Sequence, residues 1–243
     1  MMTILSSDTF PQHLCLLEHV SSTLGFYKEE MVIYQSMEGK KADTVIEAIK
    51  NRRSIRRFDE NKVEEEVIEE IIQAGRFAPS AQNRQPWRFI IITNRGVIDE
   101  LSLLIKEELK KLLKRRFIKG FSIKELKDEG TVKFLYAVAF SEKDVIFYNA
   151  PVLVFIVTED RLFNNESCAC CAQNMMLAAH ALGLGSCWIG FATILGFNKE
   201  IQHRIGIPDG YHIAAALVFG YPKGRIPKFT PRKIGADVIN WIK

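Results

Sequence analysis

Residues 151–158 read Pro151-Val152-Leu153-Val154-Phe155-Ile156-Val157-Thr158, with every interior position apolar and most of them β-branched. The run is far shorter than the roughly 20 residues a membrane helix needs. It therefore predicts a strand with no solvent-facing side. Residues 213–219 predict a second strand of the same kind. A sheet built on such strands must have helices on its faces.

The rest of the chain supplies those helices. Asp43 is placed to cap a helix carrying Val45, Ile46 and Ile49. A second helix starts near Glu64 and carries Val67, Ile68, Ile71, Ile72 and Gly75 at helical spacing. Pro79 stops it. Residues 88–93 predict a strand. Val97, Leu101, Leu104, Ile105, Leu109 and Leu112 then mark an amphipathic helix with a basic end. Residues 119–144 carry no clear period. Residues 168–182 predict a long apolar helix ended by Gly183 or Gly185. Residues 186–189 predict a short strand, and Asn198 caps a short helix that ends before Pro208.

These elements interleave without strict alternation, which predicts the α+β class: a central sheet flanked by helices. Residues 1–41 read as an appendage and residues 42–243 as the main domain. The tail from Pro222 onward holds three of the eight prolines and is expected to wrap a surface. The apolar helix over 168–182 needs more cover than one small core supplies, which predicts a helical dimer interface.

Composition excludes several classes. Hydrophobic residues make up 47% and charged residues 26%, which is globular rather than disordered. Lys+Arg is 33 and Asp+Glu 29, a net charge of +4 that is too mild to imply nucleic acid and suits a small anion. Asp8, Pro11, His13 and Glu18 interrupt any secretory signal. Five cysteines without a disulfide framework's spacing predict a reduced, cytoplasmic protein with no membrane partner.

Three segments carry candidate chemistry. In Arg52-Arg53-Ser54-Ile55-Arg56, an extended chain puts Arg52, Ser54 and Arg56 on one face. Guanidinium forks and a hydroxyl suit one phosphate, and a solvated basic loop fits the spacing equally well. Residues 78–87 bracket a hydroxyl and three amides between prolines, which suits the rim of a heteroaromatic ring or a self-bonded turn. Trp87 fits a core position there. In Gly183-Leu184-Gly185-Ser186-Cys187-Trp188-Ile189-Gly190, glycines allow close backbone approach. The spacing is not GxGxxG, so a Rossmann dinucleotide site is unsupported.

Cys168, Cys170 and Cys171 do not converge on a metal, because adjacent helical residues point about 100° apart. They fit a packed helix better. The basic residues of 106–119 are a candidate nucleic-acid contact, but Glu107, Glu108 and Glu125 offset them, and a solvated face fits better.

Taken in order, residues 52–58, 78–89, 178–190 and 215–222, with Arg232 in the tail, resemble the nitroreductase family of FMN-dependent oxidoreductases. The resemblance implies an α+β sandwich with a central, mostly antiparallel sheet. It also implies an intertwined homodimer with two FMN sites at the interface, whose C-terminal tail wraps the partner. It implies that Arg52, Ser54 and Arg56, joined by Arg232, hold the FMN phosphate, with Arg53 also a cofactor-binding residue. It implies that Pro79, Ser80, Ala81, Asn83 and Gln85 reach the flavin from the other subunit. Cys187, Trp188, Ile189 and Gly190 would lie beside the ring, where a backbone N–H donates to N5. NADH or NADPH would supply hydride, and a small-molecule acceptor such as a nitroaromatic or quinone would take it, in a ping-pong cycle needing no protein nucleophile.

Reductive dehalogenation, flavin fragmentation and FMN storage are alternatives on the same fold. The dehalogenating relatives carry Gly-Ala-His-Thr-Glu-Pro-Trp where this chain has Ala81-Gln82-Asn83-Arg84-Gln85-Pro86-Trp87. The flavin-fragmenting relatives carry Arg-Asp where this chain has Arg53-Ser54. Both readings fit less well.

Overall fold

The structure, a computed structural model, describes residues 38–115, 128–226 and 239–242. The chain divides into two compact units, Met1–Glu47 and Ala48–Lys243. The described part of the first is the opening of helix α1, Glu38–Asn51. Asp43, expected as its cap, lies inside it, because Glu38, Lys40, Lys41 and Ala42 are good helix formers and extend the helix backward.

The second unit is built on strands β1 (Arg88–Ile92), β2 (Val152–Glu159), β3 (Gly185–Trp188) and β4 (Tyr211–Gly220). They form an antiparallel sheet in the order β1-β2-β4-β3. β2 pairs on both sides, from Val152 opposite Phe219 to Glu159 opposite Tyr211, and Ile90 lies opposite Phe155. Residues 153–157 are each at most 1% exposed, as the apolar run predicts.

Alternation sends the side chains of β2 into two cores. Leu153, Phe155 and Val157 meet helices α3 (Arg95–Arg115) and α4 (Glu129–Ala139), through Ile98, Leu101, Ile105 and Val138. Val152, Val154 and Ile156 meet α2 (Glu65–Arg76) and α5 (Asn164–Ala181), through Ile68, Ile71, Cys171 and Met175. Each fully buried Leu, Ile or Phe stabilises the fold by about 1.5–3 kcal/mol. α2 lies so close to α5 that a Cβ on Gly75 would come within 2.6 Å of Met175 Cγ.

Two boundaries differ from the pattern. α5 begins at Asn164 rather than Cys168, because the buried Asn164 amide donates to Thr158 Oγ1 at 3.1 Å and to the Glu159 carbonyl at 3.2 Å. Within 119–144, α4 forms where Asp128 caps it, accepting from the Thr131 amide at 2.6 Å; residues 116–127 lie outside the described residues. A 3-10 helix over Gly190–Phe197 and the short helix α6 (Lys199–Arg204) complete the unit. Trp87 is core at 4% exposure, and so are Cys168 and Cys171, while Cys170 is exposed. Of the basic run, Lys106 is buried and donates to the Ser141 and Lys143 carbonyls, and Lys110 and Lys111 pair with Glu107 and Glu108.

Candidate active site

The arginine segment is an extended strap across the edge of the sheet. After α1, Ser54 bridges Ser186 of β3, and the Ile55 amide donates to the Ser186 carbonyl at 2.9 Å. Phe58 bridges Pro222, the Asp59 amide donates to the Tyr221 carbonyl at 2.8 Å, and the Lys223 amide donates to the Arg57 carbonyl at 2.9 Å. Ile55 and Phe58 are buried and fix the strap, while Arg56 is exposed. Ile55 fits because β3 has Gly185 opposite it; a Cβ there would lie 2.7 Å from the Ile55 Cβ.

The strap brings Arg52, Ser54 and Arg56 round Cys187. Burial pushes the Cys187 thiol up, while the Arg56 charge, a hydrogen bond with Ser54 and the Arg52 charge oppose it. All three act on Cys187, but Arg52 lines a cavity with Ser186 and His180 while Arg56 lines a separate one with Phe58 and Tyr148. The Arg56 guanidinium lies 5.8 Å from the centroid of the Tyr148 ring, within cation–π range. Arg53 is turned back on α1, donating from Nη1 to the Lys50 carbonyl at 2.5 Å and the Arg52 carbonyl at 2.8 Å. Those are carbonyls at a helix C-terminus, where a cation is favoured.

The loop over 79–87 is folded tightly. Ser80 Oγ accepts from the Gln85 amide at 3.0 Å, the Asn83 amide donates to the Ser80 carbonyl at 3.0 Å, and Gln85 Nε2 donates to Asn83 Oδ1 at 3.2 Å. Part of the loop's polarity therefore bonds within the loop. Gln82, Asn83 and Gln85 have φ of 56°, 53° and 47°. Non-glycine residues held in that region cost about 1–3 kcal/mol each and concentrate at functional sites. The Ala81 amide donates to Ser167 Oγ at 3.3 Å, and Arg84 Nη2 to the Leu162 carbonyl at 2.6 Å, which docks the loop on the start of α5. Pro79, Asn83 and Gln85 stay exposed.

At the end of β3, Trp188 is 38% exposed and Ile189 is buried. The Ile189 amide is taken by the Ala216 carbonyl at 2.8 Å. Gly190, exposed, opens a 3-10 helix, where the N–H has no acceptor within the helix. Arg232 lies outside the described residues.

The sequence reading passed over His180 and Ser186, although both lie inside the stretch it quoted. With Asn51, Arg52, Arg53 and Pro222 they line a cavity of about 280 Å³. It also passed over Phe134, which stacks on Phe191, the residue after Gly190, with centroids 6.0 Å apart. α4 supplies Phe134, and that segment has no readable period.

An antiparallel sheet between two helical layers, with a basic strap along its edge and a strained polar loop on a neighbouring helix, defines an α+β ligand-binding class. The nitroreductase family model matches residues 49–221, and the chain belongs to that family. It is an oxidoreductase of that family. A Methanothermobacter thermautotrophicus protein named "Putative NADH dehydrogenase/NAD(P)H nitroreductase" is 30% identical over 198 residues, covering 78% of this chain and 85% of its own length. The crystal structure of a Bacteroides fragilis nitroreductase with bound FMN superposes with a TM-score of 0.67 at 29% identity, covering 80% of this chain and 97% of that one. A BluB-like flavoprotein from Clostridium difficile shares the fold, with a TM-score of 0.65, 21% identity and coverage of 82% and 99%. Among the described residues no helix is long and apolar enough to cross a membrane.

Proposed function

We propose that this protein binds FMN and uses NADH or NADPH to reduce a nitroaromatic, quinone or related small-molecule acceptor by a ping-pong mechanism. The carrying observation is the gathering of Arg52, Ser54 and Arg56 on one rigid strap around Cys187. A phosphate monoester carries about −1.5 to −2 charges at neutral pH. Guanidinium forks and a hydroxyl fixed beforehand fit it without reorganisation. FMN, when bound, supplies the hydride chemistry, so this chain needs to bind, orient and shield rather than attack. Arg52, Ser54 and Arg56, joined by Arg232, hold the phosphate, and Arg53 lies beside them. Pro79, Ser80, Ala81, Asn83, Gln85, Cys187, Trp188, Ile189 and Gly190 surround the ring. Because the Ile189 amide is already bonded, Gly190 is the backbone donor of choice. The Phe134–Phe191 pair beside Gly190 suits a flat acceptor.

The distance along α5 supports a homodimer. The loop is anchored at Ser167, and His180 lines the cavity beside Arg52, 13 residues further on. At 1.5 Å rise per residue that is about 20 Å. One subunit therefore holds its loop and its strap at opposite ends of a helix, and a complete site takes the strap of one and the loop of the other. We place the protein in the cytoplasm, without nucleic-acid partners, with residues 1–41 as an arm on an FMN-binding domain over 42–243.

The test is the visible spectrum of the purified protein, with the released cofactor identified, followed by turnover with both nicotinamides and a panel of acceptors. FMN near one per chain, and its loss in an Arg52→Ala/Arg56→Ala double variant, are expected. A double variant that keeps FMN at wild-type affinity overturns the phosphate assignment.

A further inference from the structure

The cavity between the strap and the end of α5 contains a buried group with no assigned task. Ser186 is 2% exposed, and its Oγ has no hydrogen-bond partner among the described residues. A buried hydroxyl left without a partner is uncommon, because the lost hydration is not replaced. Its backbone carbonyl is already occupied by the Ile55 amide at 2.9 Å, so Ser186 is held in place while its side chain is left over. The walls around it carry two cations, Arg52 and Arg53 from the segment after α1, and a titratable imidazole, His180 from the last turn of α5.

We propose that this cavity is the seat of a phosphate monoester dianion, with Ser186 Oγ as its neutral donor and the His180 imidazole as a third cation that takes up a proton from solvent as the dianion enters. The proposal rests on the flavin reading above and extends it to two residues outside the arginine-serine motif. The order of events follows from the charges. Burial, then the Arg52 and Arg53 charges, hold His180 below its ordinary value, which favours the neutral imidazole. An entering dianion reverses that balance, because an opposite charge within reach favours the imidazolium. Linkage then requires the dianion to bind more tightly as pH falls from 8 toward about 6, below which the phosphate's own protonation to a monoanion opposes the gain. The Ser186 hydroxyl donates to the same anion at every pH.

FMN and inorganic phosphate both carry this group, and they are titrated separately. Apoprotein is titrated with FMN, riboflavin and inorganic phosphate between pH 5.5 and 8, for wild type, Ser186→Ala and His180→Gln. Calorimetry in two buffers of different ionisation enthalpy counts the protons taken up. Ser186→Ala is expected to weaken FMN roughly tenfold or more, the worth of a hydrogen bond to a charged group, and to leave riboflavin unchanged. His180→Gln is expected to remove the gain in FMN affinity on acidification and to lower proton uptake, with riboflavin again unaffected. If FMN is indifferent to both changes but inorganic phosphate binding is lost, the cavity stands as a site for free phosphate. If neither ligand responds to either change, and the proton counts agree, the proposal is overturned. The flavin reading fails separately, through the Arg52→Ala/Arg56→Ala variant. Should His180→Gln unfold, His180→Asn and the Ser186→Ala titration carry the test.

Discussion

The Ile55 amide donates to the Ser186 carbonyl at 2.9 Å, and the Ile55 side chain seats against Gly185 one residue earlier on β3. The hydrogen bond and the close contact together fix the arginine strap relative to the sheet. In Gly185→Ala the new Cβ would lie 2.7 Å from Ile55 Cβ and Cγ1, atoms near the backbone with little freedom to move. The strap must shift. Overpacking of this kind costs about 1–3 kcal/mol. Thermal unfolding is expected to show that loss, and a fluorescence titration to show weaker FMN binding than in wild type. Unchanged values in both would contradict the packing described.

A site shared between subunits predicts complementation. An Arg52→Ala/Arg56→Ala strap variant and a loop variant such as Asn83→Val should each be poorly active. The second follows because Asn83 sits at φ 53°, which a β-branched residue resists. Mixed and allowed to exchange subunits, the two should recover NAD(P)H-dependent turnover. In each heterodimer one site then has an intact strap and an intact loop. A mixture no more active than its components would point to a site complete in one chain.

Asp144 anchors the loop that carries Tyr148. It accepts from Ser102 Oγ at 2.7 Å, from the Phe147 amide and the Asn149 amide at 2.9 Å each, and from Arg95 at 3.2 Å. Burial alone would push its carboxyl up, but the Asn149 and Phe147 amides, Ser102 and Arg95 together hold it below the ordinary value. A depressed carboxyl stabilises the fold at pH above its unfolded value, near 4, and that contribution is lost as pH falls through the folded value. Asp144→Asn should therefore cost about 1–3 kcal/mol at pH 7 and flatten the loss of stability below pH about 4. Denaturant melts at pH 7 and pH 3 check both signs.

Thiol accessibility separates the cysteines of α5. Burial first, opposed by a bond to Thr158, pushes the Cys168 thiol up to about 11, and burial with the neighbouring Cys168 and Cys170 pushes Cys171 up to about 12. Cys170 is exposed on this chain. Alkylation of the native protein at pH 8, read by peptide mass, should leave Cys168 and Cys171 unmodified until denaturant is added. Rapid labelling of either would mean that α5 does not pack as described.

Periodicity was enough for the layers. The unbroken apolar run of β2, and the matching run in β4, called for a sheet covered on both faces, and Leu153 and Val154 do enter different cores. Alternation likewise made readable that Arg52, Ser54 and Arg56 act on one buried residue, Cys187, but not that Arg52 and Arg56 line separate cavities. Boundaries were less legible. The start of α5 depends on Asn164 reaching back to Thr158, a contact that no local pattern encodes. α4 stayed unread because it takes its cap from Asp128 and its place from α3.

By itself, then, the sequence determined the elements, the two-faced sheet and the basic motif, since all three follow from side-chain spacing along one stretch of chain. Tertiary structure alone decided which groups share a cavity. Ser186 and His180 are ordinary residues until β3 and the end of α5 are folded against the strap, which leaves the buried Ser186 hydroxyl without a partner among the described residues and sets a histidine beside two arginines. Such a relation is long-range. It depends on burial and on charge separated in sequence but close in space, and neither leaves a local period to read.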